Sequence, residues 1–191
     1  MGTDRVNERA ERPERDGRRE PNQYFAASPA AASDRVTAEL RLPDVSLDLA
    51  TDRGVFARGR IDTGTKLLLL DGPGPTPGER HLLDLGAVSG PIALTLAVRN
   101  PEATVWAVEV NDRARQLCRD NAAAAGLANV EVIGPDDLPG DVVLDRLWSN
   151  PPIRVGKGAL QAMLRRWLSR LAPAGSGHLV VQKHLGSDSL Q

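Results

Sequence analysis

The chain has 191 residues, 41% of them hydrophobic, and its 24 basic and 25 acidic side chains give a net charge of -1. This length supports one globular domain with a substantial core, and the charge balance excludes the overall basic field that attracts nucleic acids. The lone Cys118 excludes an intrachain disulfide, and the absence of a long apolar run or a signal-peptide core leads us to expect a cytoplasmic protein without a membrane span.

Residues 1–20 interleave acidic and basic side chains and contain almost no apolar residues. Such a segment cannot bury enough apolar surface to fold alone, so we predict a disordered charged tail over residues 1–20. An arm that contacts RNA is the alternative, and the balanced charges favour it less.

Residues 21–78 are predicted to form an N-terminal extension with a hairpin and a helix. Alternating apolar residues between positions 40 and 49, followed by a turn sequence, indicate a short β-hairpin. The sequence DTGT at residues 62–65 precedes an apolar run and predicts the start of a helix, with Thr63 or Thr65 as the N-cap.

Residues 79–191 are predicted to form the core domain, and its first motif lies at residues 81–96. An apolar run carries Asp84 near its end, passes through a turn between Gly86 and Gly90, and continues with apolar residues at helical spacing. This pattern predicts a strand, a tight turn and a helix. Because ligands of open α/β sheets bind beyond the carboxyl ends of strands, Asp84, Gly86 and Gly90 are candidate cofactor-binding residues.

Two common nucleotide-binding motifs do not fit this turn. A dinucleotide fingerprint needs glycine at the first, third and sixth turn positions, where the chain has Gly86, Val88 and Pro91. A phosphate-binding P-loop needs a lysine, and none lies between Lys66 and Lys157. An ordinary strand-to-helix turn without a ligand remains the alternative.

Two further acids follow predicted strands. Glu109 directly follows the strand 104–108, about twenty residues past the glycine turn. At this position α/β sites place a carboxylate that accepts hydrogen bonds from ribose hydroxyls. Its alternative role is to interact with the dipole of the next helix. Asp136 follows the strand 130–133 and is a candidate to meet an adenine amino group, although an acidic surface turn explains it equally well.

A fourth strand at 142–148, a helix at 160–171 and a fifth strand at 177–181 complete the pattern. Strands that alternate with helices predict an α/β fold with a doubly wound, mainly parallel sheet.

The sequence Asn150-Pro151-Pro152-Ile153 leaves the fourth strand at the same edge as the acids. Proline nitrogens carry no hydrogen, so this turn presents carbonyl oxygens, and Asn150 adds an amide oxygen. Two such acceptors can bind both hydrogens of an exocyclic amine and direct its lone pair toward a methyl donor. Asn150 and Pro151 are therefore candidate catalytic residues for in-line methyl transfer, which needs no metal; a simple turn is the alternative.

The turn from Asp84 to Gly90 resembles the acidic-x-Gly-x-Gly-x-Gly loop of class I S-adenosylmethionine-dependent methyltransferases. Val88 stands where that family usually has its central glycine, and a β-branched residue resists unusual backbone angles. The ordered motifs GVF at 54–56, DTGT at 62–65, NPPIRVGK at 150–157 and VVQKH at 180–184 resemble the small-subunit ribosomal RNA methyltransferases that modify the guanine exocyclic amine.

This resemblance implies a Rossmann-like methyltransferase sheet, S-adenosyl-L-methionine as the cofactor and small-subunit ribosomal RNA as the partner. It implies a cofactor site and a substrate site. The expected cofactor contacts are Asp84, Gly86, Gly90, Glu109, Asp136 and Asn150, and the expected clamp on the target base is Asn150, Pro151, Pro152 and Ile153. Arg154 and Lys157 would meet RNA phosphates, with a solvated loop as the alternative.

Folds of this family usually continue with two further strands after the fifth, so we expect the C-terminal strands to be missing from this chain. The sheet edge would then be uncovered, and a homodimer could form through it. Together with Val88, the missing strands leave a second hypothesis, a catalytically lapsed protein of the same fold that acts as an RNA-binding or protein-interaction module. A third option keeps the enzyme but replaces the nucleobase by a protein side-chain amide or a small amine.

Overall fold

The computed structural model describes residues 32–151 and 157–181. The predicted tail at 1–20 and residues 182–191 lie outside this description. In chain order the elements are β1 (Val36–Arg41), β2 (Ser46–Thr51), α1 (Thr63–Asp71), β3 (His81–Leu85), α2 (Pro91–Arg99), β4 (Thr104–Val108), α3 (Asp112–Ala124), β5 (Val130–Ile133), β6 (Leu144–Ser149), α4 (Lys157–Leu168) and β7 (Leu171–Leu179).

Strands β1 and β2 form the predicted hairpin, with Val36 opposite Thr51 and Arg41 opposite Ser46. The hairpin is fixed to α3 by the side chain of Asn121. Its amide oxygen accepts the Ala50 N–H at 2.8 Å, and its amide nitrogen donates to the Ala50 carbonyl at 3.0 Å. Since these bonds satisfy backbone groups of β2, the hairpin is held as a fixed extension of the domain.

Helix α1 forms where the sequence predicts a helix, but its N-cap is Asp62, so the assignment of the cap to Thr63 or Thr65 was wrong. The Asp62 carboxylate accepts the Gly64 N–H at 2.9 Å. Aspartate is among the best N-cap residues because its carboxylate reaches the free N–H groups of the first turn. The helix packs against α2.

The other strands form a parallel five-stranded sheet in the order β5-β4-β3-β6-β7. Strand β3 is central, the chain moves outward through β4 and β5, and it then returns to the other side of β3 with β6. The predicted doubly wound, mainly parallel α/β sheet is therefore confirmed. The reversal of strand order lies between β3 and β6, which is the point at which such sheets bind ligands.

The two faces of the sheet belong to different apolar clusters, as the period of two along a buried strand requires. Leu82 of β3 packs on the face that is covered by α1 and α2. Leu83 and Leu85 pack on the opposite face, where α4 contributes Leu164. Helices on both faces bury β3 from Leu82 to Leu85 and hold its carboxyl end in a fixed position.

Within the described residues, β5 and β7 form the sheet edges. The expected absence of further C-terminal strands concerns residues 182–191, which the structure does not describe, so it stays a prediction, as does the homodimer. None of the helices in the described ranges is long and apolar enough to cross a membrane.

Gly90 is the N-cap of α2 and adopts a left-handed conformation with a φ of 95°. A Cβ at this position would lie 2.5 Å from Leu94 Cδ1 and 2.8 Å from Cys118 Sγ. Since both distances are far below van der Waals contact, Gly90 is required by packing between α2 and α3 as well as by its backbone angles.

We expect Gly90→Ala to lower the free energy of unfolding by about 2–5 kcal/mol, because a left-handed residue with a Cβ costs about 1–2 kcal/mol and overpacking adds about 1–3. The matched control is Gly126→Ala, at a φ of 69° with no atom within 4 Å of the new Cβ, which should show the backbone cost alone. Urea unfolding measures both variants. Equal losses of stability would contradict the packing role of Gly90.

Candidate active site

A cleft open to solvent lies at the carboxyl ends of the central strands, and the empty space along its walls, part of it open solvent, amounts to about 400 Å³. Three segments that are distant in sequence form its walls. They are the stretch before and within α1 (Phe56, Ala57, Arg60, Ile61, Asp62 and Thr65), the turn and start of α2 (Gly86, Ala87, Val88, Ser89, Pro91 and Ile92), and the end of β6 (Asn150). The glycine turn and Asn150 of the Asn-Pro-Pro motif, predicted separately, therefore meet in one cleft.

The glycine turn is fixed to the end of the neighbouring strand. The N–H groups of Gly86 and Ala87 both donate to the Val108 carbonyl, at 2.9 and 3.0 Å, and the Gly90 N–H donates to the Ala87 carbonyl at 2.7 Å. Gly86 and Gly90 have φ values of 83° and 95°, which glycine adopts without a steric penalty. The turn thereby carries its backbone along the cleft wall into the start of α2.

Val88 adopts a left-handed conformation with a φ of 54°, the kind of backbone angle that a β-branched residue resists. Two contacts hold it there. Its N–H donates to Glu109 Oε2 at 3.0 Å, and its side chain packs against a cluster that includes Val55 and Leu117. A non-glycine residue in this region costs about 1–2 kcal/mol, which these contacts offset, so the turn keeps the shape that glycine would give it.

Glu109 joins the glycine turn to the start of α3. Its side chain is 7% exposed; Oε2 accepts the Val88 N–H, and Oε1 accepts the N–H of Asn111, the N-cap of α3, at 2.9 Å. Burial raises the pKa of Glu109, although its backbone N–H partners lower it in part. Each carboxylate oxygen retains a further lone pair, so the expected contact with ribose hydroxyls stays a prediction that the chemistry of the group permits.

Asp84 lies beneath the turn and not among the residues that line the cleft. It is 1% exposed, and its Oδ2 accepts the Ala93 N–H in the first turn of α2 at 2.9 Å. Its Oδ1 is buried and has no hydrogen-bond partner among the described residues. Burial, with a smaller contribution from the charge of Glu109, raises the pKa of Asp84 to about 7.

An unpaired buried carboxylate oxygen costs free energy unless a donor reaches it, so Asp84 Oδ1 offers a place for a hydroxyl, amino group or water behind the turn. Together with the half-buried Gly86 and Val88 of the turn and the carboxylate of Glu109, this acceptor fits a cofactor rich in hydroxyl and amino groups, as S-adenosylmethionine is. Direct contact between Asp84 and the cofactor stays a prediction.

Asn150 directly follows β6 on the opposite wall of the cleft. Its side-chain nitrogen donates to Asp62 Oδ2 at 2.7 Å and to Thr65 Oγ1 at 3.1 Å. The preceding residue, Ser149, donates its hydroxyl hydrogen to the Leu85 carbonyl at 2.7 Å and so fixes the end of β6 to the end of β3. The amide oxygen of Asn150 receives no hydrogen bond from the described residues and is the acceptor that an amine would meet.

The remaining predicted substrate residues are only partly described. Pro151 is buried immediately after Asn150. Pro152, Ile153 and Arg154 lie outside the described residues, as does the side chain of Lys157 at the start of α4. Their contacts with a target base or with RNA phosphates stay predictions.

Asp136 is not brought to the cleft. Its side chain is 87% exposed, and its carboxylate pairs with Arg166 of α4 at 2.8 Å. The ion pair places this carboxylate against α4 on the outer surface, because the loop after β5 runs toward that helix. Its predicted contact with the adenine of a cofactor therefore stays a prediction without support from this geometry.

Four cleft residues were not predicted to belong to the site: Phe56, Arg60, Asp62 and Thr65, the last of which was expected only as a helix cap. All of them lie within or between the GVF and DTGT motifs, so the motif itself was the available signal. Arg60 is exposed at the cleft and has no ion-pair partner among the described residues. No group of three or more His, Cys, Asp or Glu side chains in the described ranges could hold a metal ion.

Residues 46–190 match the family described as the methyltransferase small domain. The match begins at β2 and includes both motifs of the cleft. It therefore covers more than half of the chain and all of the residues that line the site.

Three relatives are similar over most of the chain. The uncharacterized protein YbxB of Bacillus subtilis is 31% identical over 169 residues, which is 87% of this chain and 84% of that protein. Ribosomal RNA small subunit methyltransferase C of Pseudomonas putida is 36% identical over 154 residues, covering 77% of this chain and 45% of the relative. Ribosomal RNA large subunit methyltransferase G of Pseudomonas entomophila is 32% identical over 165 residues, covering 83% and 44%.

Among solved structures, the 16S rRNA methyltransferase RsmC of T. thermophilus, in complex with AdoMet and guanosine, is similar with a TM-score of 0.71 and 27% identity. The similarity covers 85% of this chain and 45% of that one. The chain thus spans most of YbxB but less than half the length of the RNA methyltransferases that it matches.

We expect Val88→Gly to change the affinity for S-adenosylmethionine by less than about threefold, because the turn already has the left-handed shape that glycine would adopt. Its stability should change by less than about 1 kcal/mol, since relief of strain is offset by lost side-chain packing and by the flexibility of glycine in the unfolded chain. Calorimetric titration and urea unfolding test both values. A gain in affinity above about tenfold would show that the valine side chain obstructs the site.

We expect the stability that Asp84 confers to fall as pH rises. Unfolded aspartate titrates near pH 4, whereas folded Asp84 titrates at about 7, so between these values only the folded state keeps the proton. Relative to Asp84→Asn, whose amide oxygen can still accept the Ala93 N–H, the wild-type free energy of unfolding should fall by about 2–3 kcal/mol between pH 5 and pH 8. Parallel urea-unfolding profiles for the two proteins would contradict a raised pKa.

Proposed function

Since the chain belongs to the methyltransferase small domain family, within the class I S-adenosylmethionine-dependent methyltransferases, we propose that it methylates an exocyclic amino group of ribosomal RNA. We propose further that this amino group belongs to a guanine of the small-subunit RNA. The observation that carries the proposal is the amide of Asn150. Its hydrogens are taken up by Asp62 and Thr65, which leaves its oxygen as an acceptor in the same cleft as the glycine turn.

The proposed chemistry needs alignment more than activation. S-adenosylmethionine supplies an electrophilic methyl group bonded to a sulfonium. The Asn150 amide oxygen and the Pro151 carbonyl would each accept one amine hydrogen, which turns the nitrogen lone pair toward that methyl carbon. The nitrogen–carbon bond then forms as the carbon–sulfur bond breaks, and the amine loses a proton to solvent. Alignment of this kind supplies on the order of 7–11 kcal/mol of catalysis.

Support for RNA as the substrate comes from the relatives and from local charge. The two named ribosomal RNA methyltransferases and the solved complex with guanosine support a nucleobase amine in the cleft. Arg60, exposed at the cleft and without an ion-pair partner in the described part of the chain, is available to an RNA phosphate. Since the relatives include enzymes of both ribosomal subunits, guanine of the small subunit is the finer part of the proposal and is tested separately.

We expect wild-type protein to transfer tritiated methyl groups from S-adenosylmethionine to small-subunit ribosomal RNA and Asn150→Ala to do so at least about 100-fold more slowly, because the amine loses an aligned acceptor. Cofactor affinity, measured by calorimetry, should change less than about threefold. Gln116→Ala removes an exposed amide on α3, away from the cleft, and is the matched control that should keep full activity.

Unchanged activity in Asn150→Ala would contradict its role. Methyl transfer to large-subunit RNA alone would contradict the proposal that the substrate is small-subunit RNA. Methylation of a nucleoside other than guanosine, identified by mass spectrometry of the digested RNA, would contradict the proposal that the target base is guanine. A folded wild-type protein that does not bind the cofactor and does not methylate RNA would instead favour the second hypothesis, a catalytically lapsed protein that acts as an interaction module.

A further inference from the structure

We propose that Asp62, together with Thr65, is a positioning residue that sets the orientation of the Asn150 amide for methyl transfer. The inference rests on the proposed function, because it concerns the same acceptor. It assigns a chemical role to the beginning of α1, which joins the site from a part of the chain 88 residues away in sequence.

The orientation follows from the kinds of atom that face the amide. Asn150 donates from its side-chain nitrogen to Asp62 Oδ2 at 2.7 Å and to Thr65 Oγ1 at 3.1 Å. A carboxylate can only accept hydrogen bonds, so the amide must turn its NH₂ group toward Asp62. The opposite orientation would set the amide oxygen against a negatively charged oxygen and leave two amide hydrogens without these partners.

The two acceptors are themselves held rigidly. Asp62 Oδ2 also accepts the Gly64 N–H at 2.9 Å as the N-cap of α1, and Thr65 is 5% exposed in the first turn of that helix. Groups on the first turn of a packed helix hold their positions better than groups on a free loop. The Asn150 amide is therefore oriented by α1 and not only by its own strand.

Gly64 keeps open the space in which this network forms. A Cβ at this position would lie 3.0 Å from Asp62 Oδ2, 3.3 Å from the side-chain nitrogen of Asn150 and 3.0 Å from Val180 Cγ1. These distances are shorter than ordinary contacts with a Cβ. The small residue at the centre of the DTGT motif is thus explained by the pairing of Asp62 with Asn150.

Asp62 also acts on the strength of the acceptor. A negative charge at hydrogen-bond distance from the amide nitrogen polarises the amide and makes its oxygen a stronger acceptor. The amine gains positive charge as its bond to the methyl carbon forms, so a stronger acceptor stabilises the transition state more than the bound substrate. Loss of Asp62 should therefore lower kcat and leave the affinity for cofactor and the KM for RNA nearly unchanged.

A purely structural role for Asp62, as the cap of α1, makes a different prediction. Removing an N-cap costs about 0.5–2 kcal/mol of stability. Asp62→Ser retains a good cap for the Gly64 N–H, but its shorter side chain cannot also reach Asn150. Asp62→Asn retains both the cap and an oxygen acceptor and loses only the charge, and Thr65→Val removes the second acceptor with little change in shape.

The experiment measures kcat, RNA KM and cofactor affinity for these variants alone and in an Asn150→Ala background. We expect Asp62→Ser to lower kcat by about 10–100-fold, Asp62→Asn to lower it less, and the melting temperature and both affinities to stay close to wild type. In the Asn150→Ala background Asp62→Ser should have no further effect on kcat, since Asp62 acts through Asn150. Additive losses would overturn the proposal by showing that Asp62 acts directly on the cofactor or substrate.

A second readout does not depend on turnover. The side-chain amide signals of Asn150 in nitrogen-15 NMR spectra, identified by their loss in Asn150→Ala, should shift and exchange faster with solvent in Asp62→Ser and in Thr65→Val. Unchanged signals would overturn the proposed pairing. If these signals change as expected but the wild-type protein transfers no methyl group to RNA, the proposed function fails while the orientation of the amide by α1 stands.

Discussion

The hydrogen bond from the Val88 N–H to Glu109 is the contact on which the rest of the cleft depends. Without it, a β-branched residue would have little reason to keep a left-handed backbone at the centre of the turn. With it, the ends of β3 and β4 and the start of α3 are joined through one buried carboxylate. The turn then passes along the cleft wall into α2, and open α/β sheets receive a ligand at this carboxyl edge.

The second wall of the cleft also depends on one carboxylate that makes two contacts, that of Asp62. Asp62 caps α1 and pairs with the Asn150 amide, so the N-terminal extension is part of the site. The sheet supplies Asn150 at the end of β6, and the helix determines which of its two polar atoms faces the cleft. The two walls together place the amide oxygen of Asn150, the proposed acceptor for an amine, in one cleft with the glycine turn.

Local sequence patterns were sufficient for most of the fold. Strands β4 and β5 were predicted with their observed bounds because each is an apolar run enclosed by polar residues or turns. Strand β7 begins six residues before its prediction because its first residues, rich in alanine and glycine, read as a loop, although Leu171 already pairs with Leu144. The start of β7 is determined by pairing with the neighbouring strand, and local sequence patterns do not show such pairing.

The site was predictable only as far as strand ends could be located. The spacing predicted that Glu109 lies at the carboxyl edge of the sheet. It could not predict the hydrogen bonds of Glu109 to backbone N–H groups, because those depend on the conformation of the turn. The pairing of Asp62 with Asn150 joins residues 88 apart, and neither periodicity nor spacing reveals such a contact. Asp136 was also placed in the site from its position after a strand. Its exposed carboxylate pairs with Arg166, so its contact with a cofactor stays a prediction without support from the geometry.

Calorimetric titration of the 191-residue chain with S-adenosylmethionine, with NAD as the control, tests most directly whether the valine-containing turn forms a working cofactor site. The structure predicts micromolar binding of S-adenosylmethionine and none of NAD, because the turn keeps the left-handed shape of a glycine loop and lacks the dinucleotide fingerprint. A folded protein that binds neither compound, or that binds NAD, would contradict this central claim.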